Sequence, residues 1–315
     1  MTDVAAGLPA PRRRNFSVAP SRIHDDHGST RTDPVTSSPT RPTRQGNPAP
    51  ANEAAKAPLL EVRDVVVDFG GLRALDHASL KVFPNTITGL IGPNGAGKTT
   101  VFNVVAGYHR PRAGRVFLRG ADITGLPPHR VFERGLCRTF QIPREHGSMS
   151  VLENLMLVPK RQAGESLLAA LLRPGRVARQ EREIEARAEE VLAFTDLAHL
   201  KHEYARNLSG GQKKLLELAR TLMGEPEIVL LDEPGAGVNP TLMERLKENI
   251  VRLNREKNIT FLIIEHDMDL IMQLCDPVIV MSGGRYLTEG PPQTVRRDPR
   301  VLEAYLGGQH AAAEG

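Results

Sequence analysis

Residues 92–100 read Gly-Pro-Asn-Gly-Ala-Gly-Lys-Thr-Thr, and this run constrains the fold more than any other segment. It fills the pattern G-x-x-x-x-G-K followed by Ser or Thr, between a strand expected over Thr86–Ile91 and a helical pattern over Val101–Ala106. Strand, glycine loop and helix in that order are what a phosphate-binding loop requires. The glycines let successive backbone N–H groups turn inward on a phosphate chain, and the start of the next helix adds a favourable dipole. Gly92, Pro93, Asn94, Gly95, Ala96, Gly97, Lys98, Thr99 and Thr100 are therefore the expected nucleotide-binding residues. Lys98 would reach the β- and γ-phosphates, and the Thr99 hydroxyl would ligate Mg²⁺.

A second run carries the complementary chemistry. Ile228-Val-Leu-Leu is apolar and is closed by Asp232 and Glu233, as expected of a strand buried on both faces whose C-terminal end opens onto a ligand crevice. Two adjacent acids are costly to bury without purpose. Asp232 is placed for the Mg²⁺ shell, and Glu233 for polarising the attacking water. Asp-Glu-Pro is ordinary in an exposed turn, but together with the phosphate loop it indicates a P-loop NTPase. From residue 59, β-rich runs such as Val62–Phe69 and Ile87–Ile91 alternate with longer helical periodicities, the pattern of an α/β fold. Each motif occurs once, so one nucleotide-binding unit is expected.

Composition divides the chain. Residues 1–57 hold eight of the 24 prolines, and their eight Lys or Arg against five Asp or Glu account for three of the net four positive charges. They are expected to be a disordered arm. The remainder is almost neutral, which argues against a nucleic-acid partner. Arg12, Arg13, Arg14 and Phe16 faintly suggest an export signal, yet no apolar segment follows them, and a solvated basic run is the expectation. No stretch of roughly 18 apolar residues is present to span a membrane. Cys137 and Cys275 are too few for a disulfide scaffold or a zinc site and fit a reducing cytoplasm.

Leu208-Ser-Gly-Gly-Gln212 opens an amphipathic pattern in which Leu215, Leu218, Ala219 and Leu222 share one helix face. A serine hydroxyl and glycine N–H groups at a helix start form a second anion-binding end with no lysine nearby, although Ser-Gly-Gly is also a routine helix cap. The run resembles the signature motif of ABC ATPases. Other landmarks of that family occur in order over residues 59–290: Phe69 resembles the aromatic residue that stacks on adenine, Gln141 the Q-loop glutamine, and His266 the switch histidine.

The resemblance implies an ATPase that uses ATP and Mg²⁺, with Glu233, His266, Gln141 and Lys98 in catalysis and Thr99, Gln141 and Asp232 around the metal. It implies that two cassettes pack head to tail, so that Ser209, Gly210, Gly211 and Gln212 contact the nucleotide of a sister cassette. The implied fold, over residues 58–307, has a mixed central sheet, an antiparallel β subdomain near its start and a helical subdomain over about 150–222. Ser150 and Glu153 form a capping box fitting the start of that subdomain. A C-terminal helix over Val301–Leu306 and a frayed tail over 308–315 complete the expectation.

Several stretches are similar to the ATP-binding subunits of branched-chain amino-acid importers in the hydrophobic amino-acid uptake group. They are Phe69-Gly-Gly-Leu-Arg-Ala-Leu75, Gly135-Leu-Cys-Arg-Thr-Phe-Gln141, Ser150-Val-Leu-Glu-Asn-Leu155, Glu265-His-Asp-Met268 and Asp298-Pro-Arg-Val-Leu-Glu-Ala-Tyr-Leu-Gly307. Departures are Cys137 in place of a small residue, the text of Arg144–Met149, the Tyr-free signature, and Asn239 where many ABC proteins carry aspartate. The likeness implies a peripheral subunit on the cytoplasmic face of the inner membrane, working with two permease subunits and, indirectly, an extracytoplasmic solute-binding protein. ATPases of urea or amide importers are the nearest alternative. A non-transport ABC ATPase is a further one, disfavoured because neither tandem cassettes nor long coiled-coil insertions are present.

Overall fold

The computed structural model describes residues 57–139, 145–160, 162, 164 and 174–311, with side chains described as far as Leu306. The arm expected over residues 1–57 therefore lies outside the described residues except for Ala57, and Gln141 lies outside them too.

Among the described residues ten strands form two sheets. Strand β1 (Leu60–Phe69) pairs antiparallel with β2 (Leu72–Val82) on one side and β4 (Ala113–Leu118) on the other, and β4 pairs with β5 (Ala121–Asp122). The second sheet has the order β10-β9-β3-β8-β7-β6. Here β3 (Ile87–Ile91), β6 (Leu136–Arg138), β7 (Ile228–Asp232), β8 (Thr260–Ile264) and β9 (Val278–Ser282) run parallel, and β10 (Arg285–Gly290) returns antiparallel along the edge. Every residue of β3, β7 and β8 is buried, which explains why these strands read as continuous apolar runs rather than as alternating ones.

The helices are α1 (Lys98–Val105), α2 (Pro128–Glu133), α3 (Val151–Met156), α4 (Pro174–Phe194), α5 (Gly210–Met223), α6 (Pro240–Lys257), α7 (Met268–Leu274), α8 (Pro292–Val295) and α9 (Pro299–Ala311). Alternate residues of one strand serve different cores. Val229 and Leu231 of β7 join a cluster with Leu215, Leu218 and Leu222 of α5, whereas Ile228 and Leu230 join Phe102 of α1 and Val65 and Leu80 of the antiparallel sheet. The expected apolar face of α5 is thus the face that packs on the sheet. Helices α3, α4 and α5 pack on one another, and α3 starts at a capping box in which Ser150 N donates to Glu153 Oε2 (2.7 Å) and Glu153 N to Ser150 Oγ (3.2 Å).

Two boundaries differ from the periodicity. Helix α1 begins at Lys98 rather than Val101, because the loop feeds directly into the first turn, with Gly97 as N-cap. Helix α9 continues past Leu306 to Ala311. Among the described residues no helix is long and apolar enough to cross a membrane.

Candidate functional site

The parallel strands deliver their functional residues at their C-terminal ends. From β3 comes the phosphate loop, from β7 Asp232 and Glu233, from β8 Glu265 and His266, and from β6 Arg138. Such a row of strand ends is where α/β sheets open a ligand crevice.

In the phosphate loop Gly97 has φ +93°, and an added Cβ would lie 2.7 Å from Leu75 Cδ2 and 2.8 Å from Ala74 O, so both conformation and space demand glycine. Lys98 is 6 % exposed. Its ammonium donates to the carbonyls of Gly92 (2.7 Å) and Pro93 (3.0 Å). Burial holds the Lys98 pKa below the ordinary lysine value, and the negative charges of Glu233 and Asp232 oppose that shift. The loop lysine and the strand-end acids, 134 or more positions apart in sequence, are therefore electrostatic neighbours. Thr99 is exposed in the first turn of α1, which carries no acidic residue to offset its positive end.

Asp232 is 4 % exposed, and its Oδ2 accepts from Arg138 Nη2 at 2.7 Å. Arg138 Nη1 donates to Asn103 Oδ1 of α1 at 2.5 Å, so one guanidinium joins β6, β7 and the helix behind the phosphate loop. Glu233 sits at φ +50°, an uncommon backbone for a non-glycine residue, held by its N–H donating to Ile264 O at 2.9 Å. His266 Nε2 donates to Glu233 Oε1 at 2.7 Å. Directly beside His266, Glu265 is buried; that burial pushes its carboxyl above the usual range, and backbone N–H donors from Gly235, His266 and Asp267 pull in the other direction.

The signature residues form a separate group. Ser209 caps α5, its Oγ accepting from Gln212 N at 3.3 Å while Ser209 N donates to Gln212 Oε1 at 2.9 Å. Gly211 packs against Leu242, whose Cδ2 would lie 1.8 Å from an added Cβ and would have to move. Gly210 has open space around it. Ser209 and Gln212 line a cavity of about 260 Å³ with Asn239, Leu242 and Arg245, and no phosphate-loop residue lines it. Asn239 is the N-cap of α6, its Oδ1 accepting from Leu242 N at 2.9 Å, a role that asparagine fills as well as aspartate. Phe69 is 44 % exposed and meets His109 edge-on, ring centroids 5.2 Å apart. Cys137 is buried in β6 opposite Val229.

Sequence reading did not find the roles of Arg138, Asn103, Glu265 or His109. Arg138 and Glu265 stand inside the motif text beside Gln141 and His266, and that adjacency was the available signal. Asn103 and Asp232 lie 35 and 94 positions from Arg138, and Gly235 lies 30 from Glu265, separations that no local pattern reveals.

Comparison with known proteins agrees with this architecture. The family described as ABC transporter matches residues 75–236, which contain the phosphate loop, the α5 cap and the strand-end acids, and a second family, described as branched-chain amino acid ATP-binding cassette transporter, matches residues 287–311. The high-affinity branched-chain amino acid transport ATP-binding protein BraF of Pseudomonas aeruginosa is 41 % identical over 250 residues, 79 % of this chain and 98 % of that one. The corresponding LivG protein of Escherichia coli is 40 % identical over the same shares. Among solved structures, a nucleotide-free ATP-binding cassette from an ABC transporter superposes with TM-score 0.68 at 37 % identity, covering 79 % of this chain and 98 % of its own. A cassette in its ADP conformation gives TM-score 0.68 at 36 % identity, covering 80 % and 99 %. The chain belongs to the ABC transporter family as an ATP-binding, ATP-hydrolysing cassette.

Proposed function

We propose that this cassette drives uptake of branched-chain amino acids as one of a pair of cassettes, seated on two integral-membrane permease subunits at the cytoplasmic face of the inner membrane and served by an extracytoplasmic solute-binding protein. The names of its relatives and the match of residues 287–311 support the amino-acid reading. In this reading residues 58–307 form the cassette, residues 1–57 take no part in nucleotide binding, and no nucleic acid enters the cycle.

The observation that carries the hydrolytic part is the 2.7 Å contact of His266 with Glu233 at the end of a fully buried strand, within electrostatic reach of Lys98. Phosphoryl transfer from ATP has a loose transition state, so the protein acts mainly by positioning and by stabilising charge. Lys98 moves its ammonium from loop carbonyls to the phosphates, and the backbone N–H groups of the loop, which Pro93 lacks, cradle them. Phe69 stacks on the base. Glu233 orients and polarises the attacking water, while His266 holds the Glu233 carboxylate in place through their 2.7 Å contact. Ser209, Gly210 and Gly211 offer hydroxyl and N–H donors to the nucleotide of the sister cassette, whose own signature residues do the same in return.

The residues present fit Mg²⁺. Asp232 has one oxygen held by Arg138 and a second left for a hard cation, and Thr99 supplies a hydroxyl. Mg²⁺ takes few protein ligands and relies on substrate phosphates for the rest of its shell. Mg²⁺ would neutralise charge developing on the phosphates. Gln141 is proposed as a further ligand and as the coupling residue toward the permeases.

The test compares ATP turnover of the purified chain with that of the transporter assembled with its sister cassette and permeases in liposomes. Slow turnover that rises with protein concentration, and stimulation in liposomes by binding protein loaded with leucine, isoleucine or valine, is the expected result. Fast, concentration-independent turnover would overturn the shared-site reading, and stimulation by urea or amides alone would overturn the amino-acid reading.

A further inference from the structure

Among the described residues, Glu265 is the one buried acid at the strand ends to which the hydrolytic cycle above assigns nothing. It directly follows β8 and is 5 % exposed. Its two oxygens are used on two different loops: Oε1 accepts from Gly235 N at 2.6 Å, and Oε2 from His266 N at 3.1 Å. Gly235 belongs to the loop 234–239 that runs from Glu233 to α6, and His266 begins the loop that leads to α7. The same two loops meet a second time through their side chains, in the contact of His266 Nε2 with Glu233 Oε1.

The loop on the Glu233 side is short and closed on itself. Ala236 N donates to Glu233 O at 3.1 Å, Val238 N to Gly235 O at 3.2 Å, and Asn239 caps α6. A displacement of Gly235 therefore passes directly to Glu233, whose φ of +50° already needs support from its surroundings. Burying a carboxylate next to the charge of Glu233 is unfavourable, and an apolar residue would fill the space at lower cost. What an apolar residue cannot do is accept from two backbone donors on opposite loops. Space at the contact is filled as well: a Cβ on Gly235 would lie 2.7 Å from Glu265 Oε1 and 2.6 Å from Met243 Cε.

We propose that Glu265 is a positioning residue for ATP hydrolysis, clamping loop 234–239 to the His266 backbone so that Glu233 and His266 are aligned for the hydrolytic step, without taking part in nucleotide binding. The inference rests on the proposed roles of Glu233 and His266. Misplacing a catalytic group by about 1 Å costs on the order of 100-fold in rate, so loss of the clamp has a measurable signature in kcat and none in affinity.

Glu265→Gln keeps the shape but presents an amide donor to one of the two backbone donors, so one loop is released. Gly235→Ala attacks the same contact from the other side. Both variants and their combination are made in the full chain and assembled with the sister cassette and permeases; kcat and KM for ATP are measured, together with the affinity of the isolated chain for a fluorescent ATP analogue. Either single variant is expected to lower kcat by roughly 10–100-fold, with affinity unchanged within about twofold. The double variant is expected to be no slower than the slower single one, because both changes break one contact. Retained affinity shows that the fold is intact.

Near-normal kcat in Glu265→Gln, a loss of affinity as large as the loss of kcat, or multiplicative effects in the double variant would each overturn the proposal. Glu233→Gln in the same assay separates the two levels. If it still hydrolyses ATP, the underlying assignment fails; if it is inactive while Glu265→Gln is normal, only the clamp fails.

Discussion

Replacing Arg138 by methionine removes a charge from the interior without changing the length of the side chain much. The side chains of Arg138 and Asp232 are 8 % and 5 % exposed and meet at 2.7 Å, so the substitution strands a buried carboxylate. Breaking a buried pair from one side costs about 3–5 kcal/mol, because the remaining ion has lost both water and partner. For a domain of this size each kcal/mol lowers the melting midpoint by about 2–4 °C, which places the expected fall at about 6–20 °C. An exposed pair provides the contrast. Arg115 and Asp122 are 69 % and 42 % exposed and 3.5 Å apart, and Arg115→Met is expected to cost about 0–1 kcal/mol. Adding Asp232→Asn to Arg138→Met removes the stranded charge, so the double variant is expected to be more stable than Arg138→Met alone. Urea unfolding of the nucleotide-free chain, followed by circular dichroism, measures all three variants against the unsubstituted chain. A cost for Arg138→Met below about 1 kcal/mol, or a double variant less stable than the single one, would refute the view that this pair joins β6, β7 and α1.

Gly97→Ala forces a methyl group against Leu75 and Ala74 at φ +93°; it is expected to cost roughly 1–3 kcal/mol in stability and to weaken ATP binding by at least about tenfold, measured by nucleotide titration. Ser209→Ala removes the cap of α5 and is expected to cost about 0.5–2 kcal/mol, to leave the isolated chain's ATP affinity unchanged and to slow turnover only in the assembled pair. Burial pushes the thiols of Cys137 and Cys275 up to about 12, so neither is appreciably ionised at about pH 8, and mass spectrometry is expected to find iodoacetamide adducts on both in urea and on neither in the folded chain. Rapid labelling of the folded chain would contradict that burial.

What could be read in the sequence was chemistry that works at short range. The phosphate loop, the caps at Ser150 and Ser209 and the apolar run ending in Asp232 each need only neighbours within a few positions, so their residue types declare them. The fully buried strands were legible because a parallel strand covered on both faces tolerates almost nothing polar. Arg138 was not legible in this way. Its partners Asn103 and Asp232 are 35 and 94 positions distant, and the pairing of β6 with β7 is what brings Asp232 within reach. Glu265 was hidden for a related reason: it serves backbone donors, and a backbone N–H leaves no mark on sequence. The left-handed backbone of Glu233 was equally silent, because its support comes from Ile264 on the neighbouring strand. Asn239 shows the converse case, a departure from the common residue that the local capping geometry accounts for in full.

The central claim is that Glu233 orients and polarises the attacking water while Lys98 and the phosphate loop bind the nucleotide, and it is tested most directly by the hydrolysis rate of Glu233→Gln in the assembled pair. The substitution keeps size and hydrogen bonding and removes charge and basicity. ATP affinity is expected to survive, hydrolysis to fall by roughly 10²–10⁴-fold, and an ATP-bound dimer to accumulate in sedimentation, whereas Lys98→Ala weakens binding and yields no such dimer. Near-normal hydrolysis in Glu233→Gln would contradict the account and leave the water to be activated by His266 or by the γ-phosphate itself.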